Sequence, residues 1–511
     1  MQLPPKWVLQ VKDVDWLEST GPPGQQQQQP QRVRRQLDYD VRPLPDTFTA
    51  TLVRNERVTT ADHWQDVRHI SLTTPEPLTY GPGDMLNITP KNLPDDVQIL
   101  INLMNWNEHA DKPVSLIFNN NINDNKNNAN DNTLPPPQPP VPNLQNHPNL
   151  TLRTLISDYF DLRGIPRRSF FSTIAHYTTD SMQKERLLEF TNPVFVDEFW
   201  DYTTRPRRSI LEVLHEFHTV RIPWEHVPSV FPVIRGRQFS IASGGILKKA
   251  RRPQKQQQDT TKERETTRPT DQKEEKEEEE EKEETNFDLL IAIVKYQTII
   301  KRIREGICTR FLSVLQPGST LRVQLQRGSL APSPQQLIGP TILIGPGTGI
   351  APLRSMLWEK AAIVEAYKQR LQVAHSQAQS QNEDGGDMPL QIPATTLLFG
   401  ARNRSSDFFF HAEYQLLTPL INLALHTAFS RDQRGKVYVQ DRVRENFAAF
   451  YTILCELGGS IFVCGSSGRM PEAVREALVE CFQYGGGFGR GEAEEYLVGM
   501  ERSGRYKQET W

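Results

Sequence analysis

Apolar and polar positions alternate in short runs from Phe48 to Phe118, as in His69-Ile-Ser-Leu, and turn signals such as Tyr80-Gly-Pro-Gly-Asp separate the runs. A period near two buries one face of a pleated strand, so this stretch predicts β structure. From Leu150 to about Phe231 the spacing lengthens, and Ile210, Leu211, Leu214 and Phe217 fall on one helical face. Strand-like segments return at Arg237–Ser243, Leu289–Lys295 and Leu321–Gln326. Beyond Pro340 the rhythm changes again. Apolar strands expected at Thr341–Ile344, Thr395–Phe399, Leu423–Phe429, Val437–Val439 and Ile461–Val463 alternate with helical stretches. Strands of that kind indicate a parallel sheet with crossover helices. The expected fold is a multidomain α+β and α/β chain. An antiparallel β-barrel over 46–337, with a helical connecting insertion at about 150–231, precedes a doubly wound parallel-sheet domain over 338–511.

The length of 511 residues suits two or three domains. Only 37% of the chain is hydrophobic and 38 prolines exceed 30 glycines, too polar for packing from end to end. Four stretches carry the excess: a linker-like 1–45 with polyglutamine at Gln25–Gln29, an Asn- and Pro-rich insert within 119–149, a charged insert over 244–286, and His375–Asp387. Each is expected as surface-loop expansion, because a doubling of loop length costs only about 0.6 kcal/mol. Nine glutamates and three lysines crowd 273–284, a local charge of −6 that leaves the rest of the chain at +3. No basic stripe interleaved with aromatics is present, so no nucleic-acid partner is expected. No apolar run approaches the roughly 18 residues of a membrane span, and the start lacks a signal-peptide pattern. Cys308, Cys455, Cys464 and Cys481 form no CxxC pair, which suits a reducing cytosol.

Three constellations carry chemistry in the second half. Gly345, Gly347 and Gly349 end a strand and open a helix, where free N–H groups and the helix dipole can face a pyrophosphate. The spacing is not GxGxxG, and a plain tight turn explains it about as well alone. Ser430, Arg431, Lys436, Tyr438 and Gln440 gather a hydroxyl, a planar donor fork and a point charge, suited to the 2′-phosphate of NADPH. Cys464 ends a further strand, either as a small core residue or as a neighbour of nicotinamide. In the first half, Arg237-Gln238-Phe239-Ser240 offers a cation, an aromatic face and a hydroxyl suited to a flavin. Gly306-Ile307-Cys308-Thr309 opens a helix able to bind anionic oxygen. His215 and His218 share a helix face without a third ligand, so no metal site is expected.

Taken in order, these motifs resemble the ferredoxin-reductase-like module of the diflavin reductases, and within them the NADPH-dependent diflavin oxidoreductases of cytosolic iron–sulfur protein assembly. The resemblance rests on RGRQFSIAS (235–243), GPGTGIAPLR (345–354), FGARNRSSDFFF (399–410), KVYVQDRVRE (436–445), VCGSSGRMPEAVREAL (463–478) and GRYKQETW (504–511). YGPGDMLNITPKN (80–92) and RPRRSILEVL (205–214) add to it. It implies an FAD-binding barrel, an NADP-binding sheet, and electrons passing from NADPH through FAD and FMN to an iron–sulfur protein of the anamorsin type. It also implies a cytoplasmic location, with a mitochondrial one beside it in the family. Residue by residue, it implies that Arg207 and Arg237 hold FAD phosphate, and that Phe239 stacks on the flavin beside Gln238. Gly306, Ile307, Cys308 and Thr309 would offer backbone N–H groups to the FAD pyrophosphate. Gly347, Thr348 and Gly349 would meet the NADPH pyrophosphate. Ser430, Arg431, Lys436, Val437, Tyr438, Val439 and Gln440 would hold its 2′-phosphate end. Ser240, Cys464 and Glu509 would form the hydride-transfer cluster, with Trp511 on the isoalloxazine face. Members of the family begin with a flavodoxin domain, and no such FMN phosphate loop appears in this chain. The expectation is therefore an incomplete chain, or FMN supplied by a flavodoxin-type domain in trans. Two other readings are a stand-alone NADPH:flavodoxin or heme-protein reductase and a catalytically silent assembly scaffold.

Overall fold

The computed structural model describes residues 7–11, 47–118, 141, 149–250, 283–379 and 392–511, without the side chains of 374–379. The polyglutamine run and the acid run up to residue 282 lie outside them.

Seven strands form an antiparallel sheet in the order Arg237–Ser240, Met85–Ile88, Thr320–Gln326, Thr47–Arg57, Val67–Thr74, Glu284–Ala292, Lys249–Ala250. An antiparallel bridge between Ile241 and Leu289 returns the first strand to the sixth, so the sheet curls on itself as a barrel. Inward residues such as Ala50, Leu52, Ile70, Leu72, Leu86 and Ile88 fill it. One helix, Pro94–Met104, interrupts the β pattern expected through Phe118. Pro94 at its first position and Asp95 and Asp96 in its first turn start it.

The helical insertion has its own core, which includes Phe171, Phe190 and Leu214. Leu9 belongs to that core, because Trp7–Val11 pairs antiparallel with Val114–Phe118. The segment 1–45 is therefore not all linker: five residues bury an apolar face that their polar neighbours disguised.

Past Pro340 five strands run parallel in the order Leu423–Phe429, Thr395–Ala401, Thr341–Pro346, Ser460–Gly465, Tyr506–Thr510. Alternate residues feed two different cores. Leu343, Leu397, Phe399 and Phe462 face one, while Ile342, Ile344, Leu398 and Ile461 face the other. Both faces are covered by helices, as a doubly wound sheet requires. Chain order reverses between Thr341–Pro346 and Ser460–Gly465, which places the binding crevice outside the carboxyl ends of these two strands.

Val437–Val439 is not a strand. The Asp441 side chain accepts from Tyr438 N at 2.9 Å and starts the helix Val439–Glu445. The fifth strand is Tyr506–Thr510 instead, an edge strand whose polar sequence carries no apolar alternation. The insert expected over 244–286 is structured at both ends, with a 3₁₀ turn at Gly245–Lys248 and a strand from Glu284.

Candidate functional sites in two clefts

A cavity of about 930 Å³ lies between the barrel and the helical insertion, and its lining includes Arg207, Arg237, Tyr296, Arg304, Gly306 and Ile307. Most cations on its wall are already paired. Arg163 holds Asp96 at 2.7 Å, Arg304 and Arg302 hold Glu212 at 2.7 and 2.9 Å, and Arg208 holds Glu216. Among the described residues Arg207 and Arg237 have no carboxylate in ion-pair contact; the Arg237 guanidinium meets only the carbonyls of Arg235 and Gly236. Arg207 also sits at φ 53°, a left-handed conformation that costs a side-chain-bearing residue roughly 1–2 kcal/mol. Arg304 Nε steadies that turn by donating to Pro206 O at 2.9 Å.

The helix Ile307–Val314 points its first turn at the same cavity, and Gly306 gives it no side-chain cap. Its opening N–H groups have no intrahelical partners, so an anion can take them. Cys308 and Thr309 face away. Burial pushes the Cys308 thiol up to about 12, and Thr309 Oγ1 accepts from Val294 N at 3.1 Å. Both can meet a ligand only through backbone. Gln238 Nε2 donates to Gln326 Oε1 at 2.7 Å along the barrel surface, while Phe239 leans on the barrel core. Two guanidiniums without a carboxylate, an uncapped helix start and the Nη2 of Arg304, which has no partner among the described residues, fit the pyrophosphate of FAD.

The second candidate site lies at the switch point of the parallel sheet, beyond the carboxyl ends of Thr341–Pro346 and Ser460–Gly465. Ser240, on the barrel, donates to Glu509 Oε1 at 2.9 Å, and Ser329 donates to Glu509 Oε2 at 3.0 Å. Glu509 and Cys464 are register partners on adjacent parallel strands. Cys464 is fully buried; burial first, and then the Glu509 carboxylate, push its thiol well above the ordinary value. It is therefore a neutral thiol. Gly349 presses on the same strand, since a Cβ there would stand 2.2 Å from Cys464 O, whereas Gly347 has φ 58° and open space around it. Thr348 lies half-buried between them. Trp511 is tied by backbone alone, its N donating to Gly465 O at 3.1 Å, and the residue is 50% exposed.

The loop after the strand Leu423–Phe429 is basic. Ser430 N donates to Ala401 O at 3.0 Å and Arg431 N to Arg402 O at 2.9 Å, which fastens the loop to the neighbouring strand end. Asp432 anchors it further by accepting from Asn403 Nδ2 and Arg404 N. Arg431 and Lys436 are exposed without an ion-pair partner among the described residues. Tyr438 is exposed and Gln440 half-buried beside them, while Val437 and Val439 turn into the core of the wound sheet. Arg402 stacks over Trp64 of the barrel at 3.9 Å; burial, then the neighbouring Arg431, lower its pKa. Trp64, Arg402 and Ser329 escape sequence reasoning, because each acquires its neighbours only when the two units meet. His215 and His218 are exposed, and no group of three metal-ligating side chains occurs among the described residues. Nor is any described helix long and apolar enough to cross a membrane.

The FAD binding domain family matches residues 44–251, and the oxidoreductase NAD-binding domain family matches 343–476. An NADPH-dependent diflavin oxidoreductase 1 of Aspergillus fumigatus is 55% identical over 520 residues, covering 100% of this chain and 72% of that protein. Its counterpart from Emericella nidulans is 54% identical, with 100% of this chain and 72% of the relative covered. The Saccharomyces cerevisiae protein of the same name is 33% identical over 89% of this chain and 63% of its own length. With both domain families matched and this identity across the full chain, the chain belongs to the NADPH-dependent diflavin oxidoreductases.

Proposed function

We propose that the chain takes hydride from NADPH beside the Ser240–Glu509 hydrogen bond and Cys464, and hands the electrons on through FAD and FMN to an iron–sulfur protein of the anamorsin type. The observation that carries the first half is the Ser240–Glu509 hydrogen bond at 2.9 Å, which joins the barrel to the parallel sheet near its switch point. Bound FAD would supply the two-electron acceptor for a hydride given up by NADPH, which would leave as NADP⁺.

The chain's own residues bind and orient. Arg207, Arg237 and the first turn at Gly306–Thr309 hold FAD phosphate. Gly347–Gly349 receive the nucleotide pyrophosphate and Arg431 and Lys436 its 2′-phosphate. Binding at that remote end would offset the cost of moving the half-exposed Trp511 aside. Ser240 and Glu509 then steady the developing nicotinamide charge, beside a Cys464 thiol that keeps its proton. FMN reaches the chain on a flavodoxin-type domain, in cis or in trans, and the proposed compartment is the cytosol.

Anaerobic mixing with NADPH tests the first half: the flavin band of the FAD-loaded chain should bleach. Protein that stays colourless when FAD is offered would support the scaffold reading. Adding the iron–sulfur protein with and without an FMN-bearing flavodoxin-type domain tests the second half. Fast reduction of the cluster without FMN would sink the relay.

A further inference from the structure

The insert expected over 244–286 begins where the two units meet backbone against backbone. Ala242 N donates to Asp288 O at 2.7 Å, which holds it to the barrel, while its carbonyl accepts from Arg354 Nη1 at 3.0 Å. The next carbonyl, Ser243 O, accepts from Ser355 Oγ at 2.8 Å. A Cβ on Gly244 would stand 2.1 Å from Ser355 O, and one on Gly245 2.2 Å from Trp358 O, so the two backbones touch without intervening side chains. Gly245 N donates to Glu359 Oε2 at 2.8 Å, and Lys248 pairs with the same oxygen at 2.7 Å. Every partner from the second unit lies in the first three turns of the helix Ile350–Gln379. That is the helix which the Gly345–Gly349 turn opens.

Arg354 is central to this joint. It is 3% exposed, bonds Asp288 Oδ2 of the barrel at 3.0 Å, and bonds both oxygens of Glu413 at 2.8 Å. Its guanidinium also lies 4.3 Å from the centroid of the Phe410 ring. Asp288 is held in turn by Ser71 Oγ at 2.7 Å and faces His69 at 3.4 Å; Glu413 accepts from Trp358 Nε1 at 2.7 Å. Val67, Ala242, Leu290 and Leu330 of the barrel share one apolar core with Leu353 and Leu357 of the helix, so the boundary is packed rather than hinged.

We infer that Arg354 is a positioning residue for hydride transfer. By locking the helix Ile350–Gln379 to the carbonyls of Ala242 and Asp288's carboxylate, it fixes the gap between Ser240, two residues upstream of Ala242, and the nucleotide turn at Gly347–Gly349. This rests on the NADPH-to-flavin reading above. Arg354 touches no reacting atom; its effect is geometric, and a misplacement of about 1 Å is enough to slow an oriented transfer about 100-fold.

Three variants of the full chain test it. Arg354→Met leaves the buried Asp288 and the partly buried Glu413 without their cation and threatens folding. Arg354→Lys keeps the charge but not the planar fork. Gly244→Ala displaces the joint with every charge in place. In the variants that fold, FAD stoichiometry and affinity for 2′,5′-ADP should stay within about twofold of wild type. The anaerobic rate of flavin reduction should fall about tenfold or more, with Arg354→Lys between wild type and Arg354→Met. Amide exchange over 242–248 should rise in the flavin-free protein as well. A folded Gly244→Ala that reduces at the wild-type rate would overturn the inference alone. A wild-type chain that holds FAD but is not reduced by NADPH would overturn the functional reading, and this inference with it.

Discussion

An exposed cation with no counter-ion invites an anion, and Arg431 and Lys436 are two cations on one loop that have none among the described residues. Charge-assisted hydrogen bonds are worth about 1.5–3 kcal/mol each. Arg431→Ala combined with Lys436→Ala should therefore raise KM for NADPH by about 100-fold or more while leaving KM for NADH within about twofold. Steady-state kinetics with both nucleotides decide it, and equal losses would remove the 2′-phosphate from this loop. These two residues were legible in the sequence because they follow a strand directly. Arg402 and Trp64 were not, because they stand far apart along the chain and meet only across the two units. A second residue-scale effect is pH-dependent. Burial alone would raise the Glu212 carboxyl, but Arg304, the Ser209 amide and Arg302 outweigh it and hold it at about 2. A folded value below the unfolded one, 4.5, means stabilisation that is complete above pH 4.5 and is lost as pH falls toward 2. Glu212→Gln should lower the urea midpoint at pH 7 and flatten its decline over that window. A decline as steep as wild type would show that other carboxylates dominate it.

At the scale of elements, the parallel sheet was legible because both of its faces are buried, which leaves continuous apolar runs such as Ile342–Ile344. The closing strand Tyr506–Thr510 was not: it pairs on one side only and buries little beyond Tyr506. Val437 and Val439 misled for the opposite reason, being apolar because they enter a core at a helix start. The glycines of the turn Gly345–Gly349 share a composition but not a physical role. A methyl at Gly349 collides with the Cys464 carbonyl, backbone against backbone, while a methyl at Gly347 meets nothing and strains only a φ of 58°. Gly349→Ala should thus destabilise by about 1–3 kcal/mol and weaken 2′,5′-ADP binding, since strand and turn must separate. Gly347→Ala should cost about 1–2 kcal/mol for its left-handed backbone. Denaturant midpoints and calorimetric titration measure both, and a nucleotide affinity untouched by Gly349→Ala would mean that the turn does not face the ligand.

For the whole molecule the question is which stretches the architecture needs. Barrel, helical insertion and wound sheet were each visible as a change of hydrophobic period, whereas the joint at Ala242–Lys248 was not. Its sequence, Ala-Ser-Gly-Gly-Ile-Leu-Lys, runs without a break into a charged tract, and its glycines serve contact with a helix a hundred residues away. The same region shows where the tract can be removed. Lys249 pairs with Thr285 and Ala250 with Glu284 in antiparallel register, so the chain leaves and re-enters the barrel at cross-strand neighbours. Asn-Gly in place of 251–283 would join them by a two-residue hairpin turn. The Lys249–Glu283 ion pair is lost in that replacement, but both partners are mostly exposed, so its loss should matter little. Shortening the closed loop by about four doublings should raise stability by up to about 2 kcal/mol. The expected result is a higher melting temperature with FAD content and flavin reduction by NADPH unchanged. If the shortened chain instead folds but reduces slowly, the tract takes part in the transfer or in holding the joint, and surface-loop expansion would be the wrong description of it.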